Sequence, residues 1–306
     1  MSHHHVPHSD DPKVQAHIER LERRDKTVEH LFRRCLHLLE QAIAELVDGD
    51  EPLTWLFMGD SITHGARYTF GRDSISQMFE KFLKDDLGRT DDIVINTAVS
   101  SADTNDTITE LEARLTRYQP DVVSIMIGTN DSATHINVGE TKYKENLRTI
   151  IAAIKAEGAK VILRTPVPTK DGTRPEIGNY ADWMGEVADE YEDVILVEQY
   201  DSMRDVFTAA PYMIPVLFNS GDYLHPTTEG QLWMLDRFLE ETGMSHDGYL
   251  ANLWYETGAT SEISDAEIPA AHVLEALLLH PQDGVEGVHE QGIQFRQSII
   301  HGFTSR

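Results

Sequence analysis

The sequence predicts an α/β protein: a parallel sheet with helices on both faces. Three observations carry this. Short apolar runs of strand length recur through the middle of the chain. Stretches of helical periodicity separate them, and polar residues suited to chemistry cluster where the runs end. Strands alternating with helices build a parallel sheet, and ligands sit at the carboxyl ends of its strands.

The elements follow in order. Residues 12–47 carry apolar positions at Val14, Ile18, Leu21, Val28, Phe32, Cys35, Leu39, Ala42 and Leu46. That spacing is an amphipathic helix, or two hinged near Asp25, and Gly49 ends it. It reads equally as a coiled-coil arm that pairs with a second copy or as a helix packed on its own domain. The apolar runs 53–58, 93–95, 122–127, 161–164 and 194–197 read as buried strands. Helical periods fall at 74–87, 107–118, 142–157, 180–191 and 228–241. The expected organisation is a polar N-terminus over 1–11, a helical arm over 12–50, a catalytic-type domain over 51–243 and an acidic C-terminal extension over 244–306.

Composition narrows the function. In 306 residues, 26 Lys and Arg stand against 52 Asp and Glu, a net charge of −26. Phosphate backbones and anionic membranes are bound by clustered basic residues, so neither nucleic acid nor a membrane surface is expected as a partner. One cysteine, Cys35, excludes an intrachain disulfide and a cysteine-based zinc site. No run approaches the roughly 18–20 apolar residues of a membrane-spanning helix, and the first residues have no signal-peptide core. The expected location is cytoplasmic, or secreted if a leader precedes this sequence. His3, His4, His5 and His8 read as a polar tail rather than a metal site.

The chemistry gathers in four segments. The first apolar run passes directly into Gly59-Asp60-Ser61-Ile62-Thr63, which sets a serine at a strand end with its backbone N–H free to face a developing oxyanion. The third ends in Gly128-Thr129-Asn130-Asp131, where Asn130 can aim its amide into the same cleft. Asp222-Tyr223-Leu224-His225-Pro226 puts an acid and a histidine three apart, so the carboxylate can hold the imidazole while its other nitrogen takes a proton. After the second run, residues 96–104 form a loop of small residues suited to close backbone approach.

In this order the motifs resemble the SGNH/GDSL hydrolase family of serine esterases, deacetylases and lipases, over about residues 53–243. The resemblance implies a flavodoxin-like three-layer α/β/α sandwich (the SGNH hydrolase fold), here with an N-terminal helical arm and a C-terminal extension. It implies Ser61 as nucleophile, His225 as general base and Asp222 as its orienting acid. The oxyanion donors it implies are the N–H of Ser61, Nδ2 of Asn130 and the N–H of Ser101. The second block departs from the family: Ala98 and Ser101 stand where Asn-x-Gly-x-Ser-Gly has glycines. If position 101 needs a positive φ, serine costs about 1 kcal/mol there.

Asp60, His64, Tyr68, Pro166, Trp183 and Tyr223 are further candidates to line the substrate site, with Phe70 and Tyr212 as additional aromatic contacts. Asp60 and Asp131 are expected to brace their turns by accepting backbone N–H groups rather than to bind a metal. His280 precedes a proline as His225 does, but Leu277 occupies the acid position. The expected function is a cofactor-free serine esterase acting on small acyl esters, with O-acetyl groups on carbohydrates first and short-chain lipid or aryl esters second. The rival from another class is a non-catalytic oligomeric scaffold with a vestigial hydrolase domain.

Overall fold

The computed structural model describes residues 43–65, 68–170, 172–209 and 211–244. The expectations for the arm over 12–42, the histidine-rich start and the extension beyond Met244, His280 included, lie outside the described residues.

Five parallel strands form one sheet: β1 (Thr54–Gly59), β2 (Ile93–Asn96), β3 (Val122–Met126), β4 (Lys160–Arg164) and β5 (Val194–Val197). Their order is β2-β1-β3-β4-β5. The chain first runs outward from β1 to β2, then crosses back to β3 and continues the other way. The switch point therefore lies between β1 and β3, where an open α/β sheet offers its crevice. Trp55 pairs with Val122 and Gly59 with Met126, so the two strands end level.

Strand residues alternate between two buried faces, which is why the runs are apolar throughout. Trp55, Phe57, Val122, Met126, Ile162 and Val197 point to one core. This core is covered by α1 (Ile43–Val47), α3 (Ile75–Lys81), α8 (Tyr200–Ala209) and α10 (Thr228–Glu241). Leu56, Met58, Val123, Ile125, Val161, Leu163 and Leu196 point to the other core. Tyr143, Leu147, Ile150, Ile151 and Ile154 of α6 (Glu140–Ala156) cover it, with Tyr180, Met184 and Val187 of α7 (Ile177–Ala188).

Two readings change. The period over 107–118 is not one helix. Asp103 caps the segment early by accepting the N–H of Asp106, which starts α4 at Thr104 (Thr104–Thr109). Glu110 then leaves helical geometry at φ −110° and ψ 19°, and α5 (Leu111–Arg114) and a short 3₁₀ turn follow. The segment after β5 holds a helix, α8, that the sequence reading omitted, although Met203 and Phe207 lie four apart and are buried. Between β1 and α3 sits the four-residue helix α2 (Ser61–His64), and before α10 the short α9 (Ile214–Leu217).

Candidate active site

The turn that carries Ser61 begins at Gly59. Its φ is 147°, and a Cβ there would lie 2.4 Å from the carbonyl oxygen of Met126 and 2.6 Å from Oγ1 of Thr63. Only glycine lets β1 pass this close to the end of β3 and turn at once into α2. Asp60 caps α2, its Oδ1 accepting the N–H of Ile62 at 2.9 Å. Ser61 is the first residue of that helix, where N–H groups have no intrahelical acceptor.

Three side chains then meet. Ser61 Oγ lies 2.8 Å from His225 Nε2. His225 Nδ1 lies 2.8 Å from Asp222 Oδ2. Asp222 and His225 come from one tight turn, which Tyr223 closes with a left-handed φ of 51° and an N–H bonded to the carbonyl of Asn219 at 2.7 Å. Asp222 Oδ1 accepts the N–H groups of Leu224 and His225. Burial alone would raise the Asp222 carboxyl, but these N–H groups and the imidazole outweigh it and hold the group below its ordinary range.

Asn130 enters from the end of β3. Gly128 makes this approach at φ 127°, with the Tyr143 hydroxyl 2.6 Å from where its Cβ would be. One N–H of Asn130 Nδ2 donates to the carbonyl of Ala102 at 2.9 Å, which leaves the amide a second hydrogen. Asp131 is fully buried and receives the N–H and hydroxyl of Thr104, tying β3 to the loop after β2. Burial pushes its carboxyl up to about 7. Asn96 organises the same loop: Oδ1 accepts the N–H of Ala98, and Nδ2 donates to Thr63 O and Ser76 Oγ. Ser101 has φ 69°, the left-handed region in which a non-glycine residue is strained.

The remaining candidates divide. His64 is exposed at the cleft rim, its Nδ1 3.3 Å from Ser100 Oγ. Tyr68 stacks on the His225 ring, centroids 3.4 Å apart and planes 5° from parallel. Pro166 is buried at the carboxyl end of β4. Phe70 and Tyr223 are exposed. Two candidates have structural partners. Asp60 has no exposed surface and serves as the helix cap, with burial pushing its carboxyl up to about 6. Trp183 packs with Tyr180 and Tyr143 against the core over the opposite sheet face. An amphipathic helix that buries a half-exposed indole gives the same sequence signal as a pocket aromatic. The side chain of Tyr212 lies outside the described residues.

Two arginines were not foreseen. Arg174 donates from Nε to the carbonyl of Thr129 at 2.8 Å, and its Nη2 lies 3.3 Å from Asn130 Oδ1. Arg164, fully buried at the end of β4, donates to Thr63 Oγ1 at 3.0 Å and braces α2 from below. Arg164 carried a visible signal, since a charge ends an otherwise apolar run. Arg174 lies in an irregular loop and carried none. Among the described residues, no group of three or more His, Cys, Asp or Glu is placed to hold a metal ion.

Residues 57–233, more than half of the chain, match the model of the GDSL-like lipase/acylhydrolase family. The chain belongs to that family. This acylhydrolase is 26% identical over 212 residues to an acetylxylan esterase of Geobacillus stearothermophilus, covering 61% of the chain and 93% of the relative. It is 26% identical over 211 residues to an arylesterase of Vibrio mimicus, covering 68% and 92%. A Mycoplasma pneumoniae protein is 36% identical over 121 residues, but the match takes in 38% of the acylhydrolase and only 14% of that protein. Among solved structures, an acetyl xylan esterase variant from Geobacillus stearothermophilus superposes with a TM-score of 0.55 at 23% identity, covering 63% and 96% of the two chains. A lipase/acylhydrolase from Enterococcus faecalis gives 0.53 at 26%, covering 62% and 96%. The fold and the esterase class agree with the motifs that suggested them.

Proposed function

We propose that this esterase hydrolyses small acyl esters, O-acetyl groups on carbohydrates first, with Ser61 as nucleophile, His225 as general base and Asp222 orienting it. One observation carries the reading: the unbroken chain of contacts from Ser61 Oγ through both nitrogens of His225 to Asp222, with 2.8 Å at each step. Ser61 Oγ attacks the ester carbonyl as its proton passes to His225 Nε2. The anion on the carbonyl oxygen is held by the N–H groups of Ser61 and Ser101 and by the second hydrogen of Asn130 Nδ2. The intermediate collapses, the C–O bond to the alcohol breaks, and the imidazolium protonates the departing oxygen. Water then attacks the acyl-enzyme and gives a proton to His225; the bond between the acyl carbon and Ser61 Oγ breaks, the imidazolium returns that proton to Ser61 Oγ, and the acid is released. No step calls for a cofactor.

Two features favour a sugar ester. Phe70 and Tyr223 expose 77% and 36% of their surface and lie two positions in sequence from Tyr68 and His225, so exposed aromatic rings sit on the two segments that carry the stacked pair. The net charge of −26 disfavours phosphorylated or sulfated substrates and leaves neutral ones favoured. The acetylxylan esterase relative points the same way. The test is a panel of acetylated saccharides and aryl acetates, scored by acetate release with Ser61→Ala as control. Acetate from saccharides at higher kcat/KM than from phenyl acetate supports the reading. Preference for the aryl ester reverses the order of substrates, and no serine-dependent release from either overturns it.

A further inference from the structure

Tyr68 covers one face of the His225 imidazole almost flat, centroids 3.4 Å apart and planes 5° from parallel. Two neutral aromatic rings avoid such a face-to-face sandwich, because their negative π faces repel. A cation over the face of a tyrosine ring is attracted instead. The arrangement is therefore better suited to the imidazolium than to the neutral imidazole.

The surroundings hold the ring in this position. Thr69 is buried, its N–H bonded to Gly65 O at 3.3 Å and its hydroxyl to Arg72 O at 2.7 Å. Thr228 Oγ1 lies 3.5 Å from Thr69 O, and Arg72 Nη1 lies 3.4 Å from Glu229 Oε1. Thr228 and Glu229 open α10, three and four residues after His225. The segment that carries Tyr68 and the segment that carries His225 are thus tied at two points. The two segments that carry the rings are held next to each other by contacts other than the stack itself.

We propose that Tyr68 is a positioning residue for the esterase reaction: its ring fixes the His225 plane and favours the imidazolium that exists only while the acyl group is being transferred. The inference rests on the Ser61–His225–Asp222 reading above. An interaction made in the transition state and absent with the neutral base appears in kcat, not in KM. A side chain that merely touches substrate in both states appears in KM.

The test compares wild type, Tyr68→Phe, Tyr68→Leu and Ser61→Ala on p-nitrophenyl acetate, with melting temperatures recorded for each. Tyr68→Phe keeps the ring and is expected to retain kcat within about threefold. Tyr68→Leu keeps bulk without a π face and is expected to lose roughly 5- to 30-fold in kcat, the range of a desolvated cation–π contact, with KM within about twofold. A raised KM with unchanged kcat would make Tyr68 a substrate contact and overturn the inference. Equal losses in Phe and Leu would assign the effect to the hydroxyl, and wild-type kcat in both would remove any role; either result overturns it. If Ser61→Ala is as active as wild type, the underlying triad fails; if Ser61→Ala is inert while Tyr68→Leu is unimpaired, the triad stands and only the role of the stack falls.

Discussion

Arg174 grips Asn130 from the side away from Ala102. Its Nη2 lies 3.3 Å from Asn130 Oδ1 while Nε bonds the carbonyl of Thr129 at 2.8 Å. With Oδ1 held by Arg174 and one Nδ2 hydrogen held by Ala102, the amide has one orientation, and its last hydrogen is left for the cleft. Losing an oxyanion donor outright costs about 10²- to 10³-fold in kcat. Arg174→Met removes the orienting partner and keeps the donor, so kcat is expected to fall less, by about tenfold, with KM for p-nitrophenyl acetate little changed. Steady-state kinetics on that ester checks it.

Asp222 holds the imidazole through Oδ2 and its own turn through Oδ1. Asp222→Asn keeps the size but offers an N–H where the imidazole also presents one. The expected loss is about 10³- to 10⁴-fold in kcat, from the wrong tautomer of the base. Circular dichroism should remain that of wild type, since the turn still has Oδ1 to accept Leu224.

Ser101 is strained and glycine would not be. A left-handed serine costs about 1–2 kcal/mol, of which the greater freedom of unfolded glycine takes back about 0.5–1. Ser101→Gly is therefore expected to raise stability by about 0.5–1 kcal/mol in urea unfolding, with esterase activity retained because the N–H remains.

Asp60 gives the protein an unusual pH response. Burial raises its folded-state pKa to about 6, above the unfolded value near 3.9. The protonated form is thus favoured by folding. Its stabilising contribution is fully present below about pH 4 and is lost as the pH rises through 6. A shift of this size corresponds to about 2–3 kcal/mol for a fully buried group. Asp60→Asn should remove that slope: between pH 4 and 7 the variant's unfolding free energy should fall less than that of wild type.

The sheet was legible because both of its faces are buried. β3 has no exposed residue and reads as one apolar run, and the 194–197 run matches β5 end to end. β2 is a harder case: it lies at the edge, and Ile93 is exposed although apolar. The break at Glu110 was hidden because Thr and Leu positions on either side continue a helical period while the backbone does not. At the site, Ser61, Asn130, Asp222 and His225 were readable because short motifs, at strand ends for the first two and in a tight turn for the last two, carry their own local geometry. Arg174 was not, because its role depends on contact with residues 44 and 45 positions away. The Tyr68 stack is not legible, since a sequence shows an aromatic residue near a motif but not the ring it covers. The partners of Trp183 are hidden in the same way: Tyr143 and Tyr180 belong to the core.

The central claim is that Ser61 attacks the acyl carbon with His225 as its base. Rapid mixing with p-nitrophenyl acetate tests it most directly, by following p-nitrophenol release and the mass of the quenched protein. Wild type is predicted to release p-nitrophenol and to carry one acetyl group on the peptide containing Ser61 when quenched early, while Ser61→Ala does neither. Serine-independent release at the wild-type rate, or an acetyl group trapped on a different residue, would contradict the account.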